Sequence, residues 1–235
     1  GVGAPGELAR LGIKPTHQLA GVGQNYQDHA AVNMMYEGSA DFVSDWLFAR
    51  FSLSYKSNPD LPVGNIHVIP RAPIKVEGLE ALLPIMVNLV EQRSRGRLYL
   101  TSTDIHDLPV VDDGMLQHPD DIEAMTTAMH FIKDFFDHES LAPFYGSLVQ
   151  PGPGEDFAEF AQSTYDSHHH GSGTCMMGPA SDPMSVVDHR LKMHGIDNLY
   201  VADASIIPAV PHAATNVTAI MIGERVSDFL REDGG

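Results

Sequence analysis

Three short segments in the last third of the chain place a glycine-rich turn, the end of an apolar run and the start of an apolar helix in a fixed order. They are His170-Gly-Ser-Gly-Thr-Cys-Met-Met-Gly178, Val201-Ala-Asp-Ala-Ser205 and Pro211-His-Ala-Ala-Thr-Asn-Val-Thr218. Together they offer one imidazole, one carboxylate and one amide. An imidazole accepts a proton near neutral pH, and an amide can hold a reacting oxygen in line. The segments therefore constrain the chemistry of the protein as well as its fold.

Length and composition predict a loop-rich globular protein of one large domain or two small ones. The chain has 235 residues, 43% of them apolar, with 21 glycines and 16 prolines, and it is long enough to bury a core. No run approaches the ~20 consecutive apolar residues of a membrane span. The formal charge of −17 argues against nucleic acid as a partner, because phosphate backbones require a basic surface. We interpret the acidity as a contribution to solubility.

Neither the cysteine nor the histidine tract predicts a separate reactive site. Cys175 is the single cysteine, so no internal disulfide can form, and the sequence places no base beside it to activate the thiol. The tract His168-His169-His170 could bind zinc or iron. Adjacent residues on an extended chain point in opposite directions, however, so the three imidazoles cannot all close on one ion. We therefore predict no metal site.

Hydrophobic patterning predicts an α+β fold with short strands in the middle of the chain and helices after them. Strands are predicted by short apolar runs or by alternation over Phe42–Phe51, Asn65–Pro70, Ile85–Val90, Gly96–Ser102 and Asn198–Asp203. Helices are predicted by apolar steps of three and four residues over Pro119–Asp137, Asp156–Ala161 and Ala219–Phe229. Such an order is typical of a mainly antiparallel sheet with helices on one face.

The first six residues, Gly1-Val-Gly-Ala-Pro-Gly6, match the G-x-G-x-x-G pattern of dinucleotide-binding loops. Such a loop requires a strand immediately before its first glycine and an acidic residue about 20 positions later, at the end of a second strand. The chain shows neither feature in that context. We interpret the match as coincidental.

The three segments resemble the C-terminal end of a glucose-methanol-choline (GMC) oxidoreductase. His170 precedes Gly-Ser-Gly-Thr, as in the family's His-x-x-Gly-Thr, and Asn216 stands where members carry a partner Asn or His. The resemblance covers about 65 residues there, and the segment from Leu19 to His29 resembles one found mid-chain in the family. It implies a flavoprotein that uses FAD to oxidise a small-molecule alcohol by hydride transfer to flavin N5.

The resemblance also implies the roles of individual residues. His170 would act as the base and Asn216 as the orienting hydrogen-bond donor. His212, four residues before Asn216, is a rival for the second position because some members use a pair of histidines. Counting back from the final helix favours Asn216, although that residue could also simply cap the helix.

Four further residues are implied to contact the cofactor. By resemblance, Asp203 and the backbone of Ala204 would contact the ribityl-pyrophosphate region of FAD. Val217 and Thr218 would approach the isoalloxazine ring from the start of the final helix. A plainer interpretation of Asp203 is a turn residue at the end of a strand, where Asp is common.

The resemblance predicts three parts along the chain. Residues 1–30 and 176–235 would belong to the side of the FAD-binding domain, and residues 31–175 would form the substrate-binding domain. The family's N-terminal βαβ half has no counterpart in this sequence, so we expect a companion chain that carries it, most simply a product of cleavage of the same enzyme. Two other functions remain open: a hydroxynitrile lyase, which keeps FAD without net redox chemistry, and a flavin-binding scaffold without activity.

Overall fold

The computed structural model describes residues 1–38, 51–78 and 81–233. The chain divides into two compact units. The first unit contains residues 1–28, 94–115 and 169–235, and the second contains residues 29–93 and 116–168. The strand predicted over Phe42–Phe51 lies almost entirely outside the described residues. Among the described residues, no helix is both long enough and apolar enough to cross a membrane.

The second unit is built on a six-stranded antiparallel sheet. Its strands are β3 (Ala30–Gly38), β4 (Leu53–Tyr55), β5 (Ile66–Pro70), β6 (Leu82–Leu89), β9 (Tyr145–Gln150) and β10 (Asp166–Ser167). The order is β10-β3-β6-β5-β4, and β9 also pairs with β3. The long β3–β6 pairing runs from Ala30 opposite Leu89 to Glu37 opposite Leu82. These strands confirm the antiparallel sheet of the predicted α+β fold.

Among its described residues the second unit also has two helices, α2 (Pro119–Phe136) and α3 (Phe157–Thr164). Helix α2 packs on β6 and on α3, and its apolar face is buried, as the spacing of Met125, Met129 and Ile132 predicts. The imidazole of His118 accepts from the Asp120 N–H, and the Asp156 carboxylate accepts from two N–H groups of α3. Both predicted helices are confirmed, each with a capping side chain at its N-terminus.

The first unit has little regular structure and is held by one helix over an apolar cluster. Its elements are β1 (Val2–Gly3), α1 (Pro5–Arg10), β2 (His17–Gln18), β7 (Arg97–Tyr99), β8 (Val110–Asp112), a 3₁₀ helix (Ala204–Ile206) and α4 (Asn216–Asp233). Strands β1 and β2 pair in parallel, and β7 and β8 form an antiparallel hairpin. Ile222 and Phe229 of α4 pack into a cluster that includes Val186, Leu191 and Ile206.

Two predictions in the first unit need correction. The strand predicted over Asn198–Asp203 is wrong: the segment makes a single β-bridge between Tyr200 and Lys192. Asn198 has a left-handed φ of 59°, which interrupts an extended strand at its start. The final helix begins at Asn216 rather than Ala219 and ends at Asp233, so Asn216 lies in its first turn.

Candidate active site

The segment that carries His170 is fixed to the first unit by a buried carboxylate. The His170 backbone N–H donates to Asp28 Oδ1 at 2.9 Å, and Asp28 is completely buried. The second oxygen of Asp28 accepts from the Tyr26 hydroxyl at 3.2 Å. Burial, followed by the nearby Asp28 carboxylate, raises the pKa of Tyr26 far above its ordinary value, so Tyr26 stays protonated and keeps donating. The geometry places the His170 backbone without using the imidazole.

The imidazole of His170 suits a proton acceptor at neutral pH. Burial lowers the pKa of His170 from its ordinary value, the Asp28 carboxylate opposes that shift, and His169 adds to it. The net direction is downward, so the ring is neutral at pH 7. A neutral imidazole is the form that can take a proton from an alcohol.

The tract His168–His170 is divided between the units, with His168 in the second unit and His169 and His170 in the first. His169 has a left-handed φ of 62°, so the chain turns sharply at the middle histidine. The absence of a metal site stays a prediction.

The glycine-rich segment after His170 runs beside the 3₁₀ helix that follows Asp203. Three N–H groups along it, those of Gly173, Cys175 and Met177, donate to the carbonyl groups of Ala204, Ser205 and Ile206 at 3.3, 2.8 and 2.8 Å. The structure therefore brings two of the three segments singled out in the sequence into direct contact. This contact is between segments only, and it involves neither the His170 ring nor the Asp203 side chain.

Asp203 caps the 3₁₀ helix by accepting from the Ser205 N–H at 2.8 Å. Its side chain is otherwise exposed, and Ala204 is half-buried. This is the turn role that Asp commonly has. Contact of these two residues with a cofactor stays a prediction.

Asn216 and Val217 lie exposed in the first turn of α4, with half-buried Thr218 beside them. The Thr215 carbonyl accepts from the Ala219 N–H at 2.9 Å, so Thr215 stands at the cap position and Asn216 follows it. The alternative that Asn216 only caps the helix is therefore not supported. Val217 is 74% exposed. His212 is half-buried in the loop before the helix.

Cys175 belongs to the packing of the first unit. The side chain contacts the apolar cluster under α4, and burial raises the pKa of its thiol. A thiol held in its protonated form is a poor nucleophile. This agrees with its interpretation as a small packed side chain.

Two residues of this site, Tyr26 and Gln27, were assigned no role from the sequence, and Asp28 was considered only as a residue that braces the cofactor. Gln27 and Asp28 are almost completely buried, although they are polar. The only available signal was a run of polar residues directly before the apolar strand β3, and such runs are usually exposed. Their partners, Ser172 and His170, lie more than a hundred positions away, so only the folded chain reveals them.

Substitution of Gly173 tests how closely the glycine-rich segment after His170 packs against its neighbours. It has a φ of +90°, and a Cβ atom there would overlap the Asn25 carbonyl oxygen. We expect Gly173→Ala to lower the free energy of unfolding by roughly 1–3 kcal/mol from strain alone, with the overlap adding to it. Gly154→Ala is the matched control, because Gly154 has a φ of +82° and no neighbour within 4 Å. Urea unfolding of both variants measures the difference, and equal losses would show that the overlap is relieved.

Comparisons with known proteins show the family to which the chain is similar. Residues 92–223 match a family model described as GMC oxidoreductase. The oxygen-dependent choline dehydrogenase of Brucella anthropi is 28% identical to the chain, and the alignment covers 98% of the chain and 48% of that protein. The mitochondrial choline dehydrogenase of Homo sapiens is 30% identical over 98% of the chain and 44% of its own length. The chain thus spans about half the length of these curated relatives.

Solved structures show the same fold. Pyridoxine 4-oxidase from Mesorbium loti superposes with a TM-score of 0.84 at 21% identity, covering 98% of the chain and 47% of that protein. Formate oxidase from Aspergillus oryzae RIB40, in a structure concerned with its FAD modification, superposes with a TM-score of 0.85 at 20% identity. That superposition covers 99% of the chain and 51% of the formate oxidase chain. At this identity the likeness establishes the fold alone.

Proposed function

This chain belongs to the GMC oxidoreductase family, and we propose that it is the C-terminal part of an FAD-dependent enzyme that oxidises an alcohol to a carbonyl compound. The observation that carries the proposal is His170: a half-buried imidazole whose pKa is lowered by burial, on a backbone held by Asp28. A base needs both a neutral ring and a fixed position. The choline dehydrogenases and pyridoxine 4-oxidase among the similar proteins make small alcohols the first substrates to test.

Two properties of the first turn of α4 support its proposed contact with the cofactor. The N–H groups of a first helical turn have no acceptor within the helix, and the helix dipole makes this end attract negative charge. Asn216 and Val217 are exposed there, so a flat ring with a polar edge can approach both the amide and the apolar side chain. Asp203 and Ala204 would hold the ribityl side of FAD, and Val217 and Thr218 would contact its ring system.

In the proposed reaction the two polar side chains act on the oxygen of the alcohol. His170 takes the hydroxyl proton on a ring nitrogen, and Asn216 donates a hydrogen bond to the same oxygen as negative charge develops. The carbinol hydrogen leaves with its electron pair as the carbon–oxygen double bond forms. When bound, FAD supplies the acceptor for that hydride at N5.

The proposal includes an N-terminal FAD-binding portion, either on the same polypeptide or on a companion chain. It is supported by the coverage of the relatives, of which the chain spans 44–48%. It is also supported by an exposed apolar stripe on α4. Val217, Ile220 and Met221 are 74%, 59% and 54% exposed at helical spacing, and a covering surface would remove them from water.

Anaerobic mixing with a panel of alcohols tests the proposed reaction. The FAD-loaded protein is combined with choline, pyridoxine and an aryl alcohol, and the absorbance of oxidised flavin is followed. We expect at least one alcohol to bleach the flavin, because hydride transfer reduces it. FAD binding is measured in parallel for the chain alone and for the chain joined to an N-terminal portion, and we expect tight binding only for the second.

Two results would contradict the proposal in different ways. Stable FAD binding without bleaching by any alcohol would favour the hydroxynitrile lyase or the inactive scaffold, and cleavage of mandelonitrile would separate these two. Tight binding of FAD by the chain alone would remove the need for the N-terminal portion while leaving the reaction intact.

A further inference from the structure

The side chain of Gln27 is buried and forms hydrogen bonds at both ends of its amide. The residue is 1% exposed and lies in the first unit. Its Nε2 group donates to the Pro208 carbonyl at 3.0 Å, and its Oε1 atom accepts from the Val210 N–H at 3.2 Å. A backbone carbonyl can only accept and a backbone N–H can only donate, so the two partners fix the orientation of the amide.

The backbone of the same residue holds a second segment. The Gln27 N–H donates to the Ser172 carbonyl at 3.0 Å, and the Ser172 N–H donates back to the Gln27 carbonyl at 2.9 Å. Ser172 follows His170 by two positions, and Val210 precedes Asn216 by six. One residue therefore connects the segment of the proposed base to the loop that leads into the first turn of α4.

No hydrophobic side chain of similar size can make both side-chain bonds. Val210 and its hydrogen bond to Gln27 are buried, so loss of the amide leaves a buried donor without its acceptor. The loop from Pro208 to Val210 would then move to find new partners. Because a displacement of about 1 Å far from the reacting atoms can slow a reaction ~10²-fold, the effect should reach the chemical step.

We infer that Gln27 is a positioning residue. It holds the segment that carries His170 and the loop from Pro208 to Val210 in fixed places, so that His170 and Asn216 act on the same substrate oxygen. This inference rests on the proposed function. The residue acts through its hydrogen bonds to Ser172, Pro208 and Val210.

The test replaces Gln27 with methionine, which has a similar volume and no amide. In the FAD-loaded protein, we expect amide hydrogen exchange at Val210 to accelerate more than tenfold, because its acceptor is gone. We expect flavin reduction at saturating alcohol to slow by roughly 10- to 100-fold, with KM changed less than threefold. Gln27→Glu is the intermediate variant: it keeps an oxygen that accepts from the Val210 N–H but replaces the donor to the Pro208 carbonyl with a second acceptor, so it should retain more of the protection at Val210 than methionine does and recover only part of the rate.

Asn65→Leu is the matched control. Asn65 is a buried amide of the second unit that bonds to Ser57 through both ends at 2.9 Å. Its replacement should lower the thermal midpoint as much as Gln27→Met while leaving the reduction rate within threefold of the unchanged protein.

The outcomes separate this inference from the proposed function. Unchanged exchange at Val210 in Gln27→Met, or faster exchange with a reduction rate within threefold of the parent, would overturn the positioning role. Equal slowing by Asn65→Leu would do the same, since it would show a general loss of stability. If no alcohol bleaches the flavin of the parent protein, the proposed function is wrong. The hydrogen-exchange measurement at Val210 would still decide whether Gln27 holds the loop in place.

Discussion

Replacement of His170 by alanine is expected to slow flavin reduction by roughly 10²–10⁴-fold, the usual contribution of a positioned acid–base group. The backbone of His170 is held by Asp28 through its N–H, so alanine keeps that bond and the segment stays in place. The loss should therefore appear in the chemical step, with little change in FAD binding. Single-turnover reduction under anaerobic conditions, at saturating alcohol, measures it.

His169→Asn is the control for this variant. Asn tolerates the left-handed backbone that residue 169 adopts, and the change removes an adjacent imidazole from an exposed position. Its rate should stay within threefold of the parent. A His170→Ala rate within that same range would show that another group takes the proton.

The pH dependence of the flavin-reduction rate tests the direction in which the pKa of His170 is shifted. Burial lowers the pKa of this imidazole, so the neutral base survives below the ordinary histidine value of about 6.5. The reduction rate should therefore be constant through neutrality and fall only in a more acidic range, as the ring gains its proton. An acid limb centred above pH 7 would contradict the shift, since it would require a stabilised imidazolium.

Asn216→Ala is expected to slow flavin reduction by roughly 10²–10³-fold, the effect of removing one preorganised donor from a developing oxyanion. Asn216 is exposed in the first turn of α4, and Thr215 holds the cap, so alanine should leave the free energy of unfolding within about 0.5 kcal/mol. A small change in the free energy of unfolding together with a large fall in the flavin-reduction rate would show that Asn216 acts in the reaction rather than in folding.

His212→Ala completes this comparison, because His212 is the rival for the same role. It lies in the loop four residues before Asn216, outside the helix, and we expect its loss to change the reduction rate less than threefold. Single-turnover measurements on both variants decide between them. A slower His212→Ala would make the site a pair of histidines and leave Asn216 as a surface residue.

The helices of the second unit show how much of the fold the sequence carries by itself. Helix α2 follows the predicted range within one residue, because the spacing of its apolar side chains, the proline at its start and the two aspartates after it all act locally. Strand β5 likewise follows its apolar run. Periodicity and capping are properties of neighbouring residues, so they can be predicted without knowledge of the fold.

Predictions were weakest where contacts between distant residues replace regular structure. Asn198–Asp203 has the apolar composition of a strand, yet it makes one bridge, and the left-handed backbone of Asn198 turns the chain at its start. Helix α4 begins three residues earlier than predicted, because the Thr215 carbonyl accepts the first helical bond.

For the candidate site, the sequence by itself determined the family and predicted the chemistry, and the tertiary structure decided which segments lie side by side. The order of His170, Asp203 and Asn216 along the chain identified the family and the side chains that could act on an alcohol. Hydrogen bonds from Gln27 and Asp28 hold the segment of His170 and the loop before Asn216. These two residues lie more than 140 positions before His170. A polar side chain carries no local sign that it will be buried, since its burial is stabilised only when the folded chain supplies a donor or an acceptor for each of its atoms.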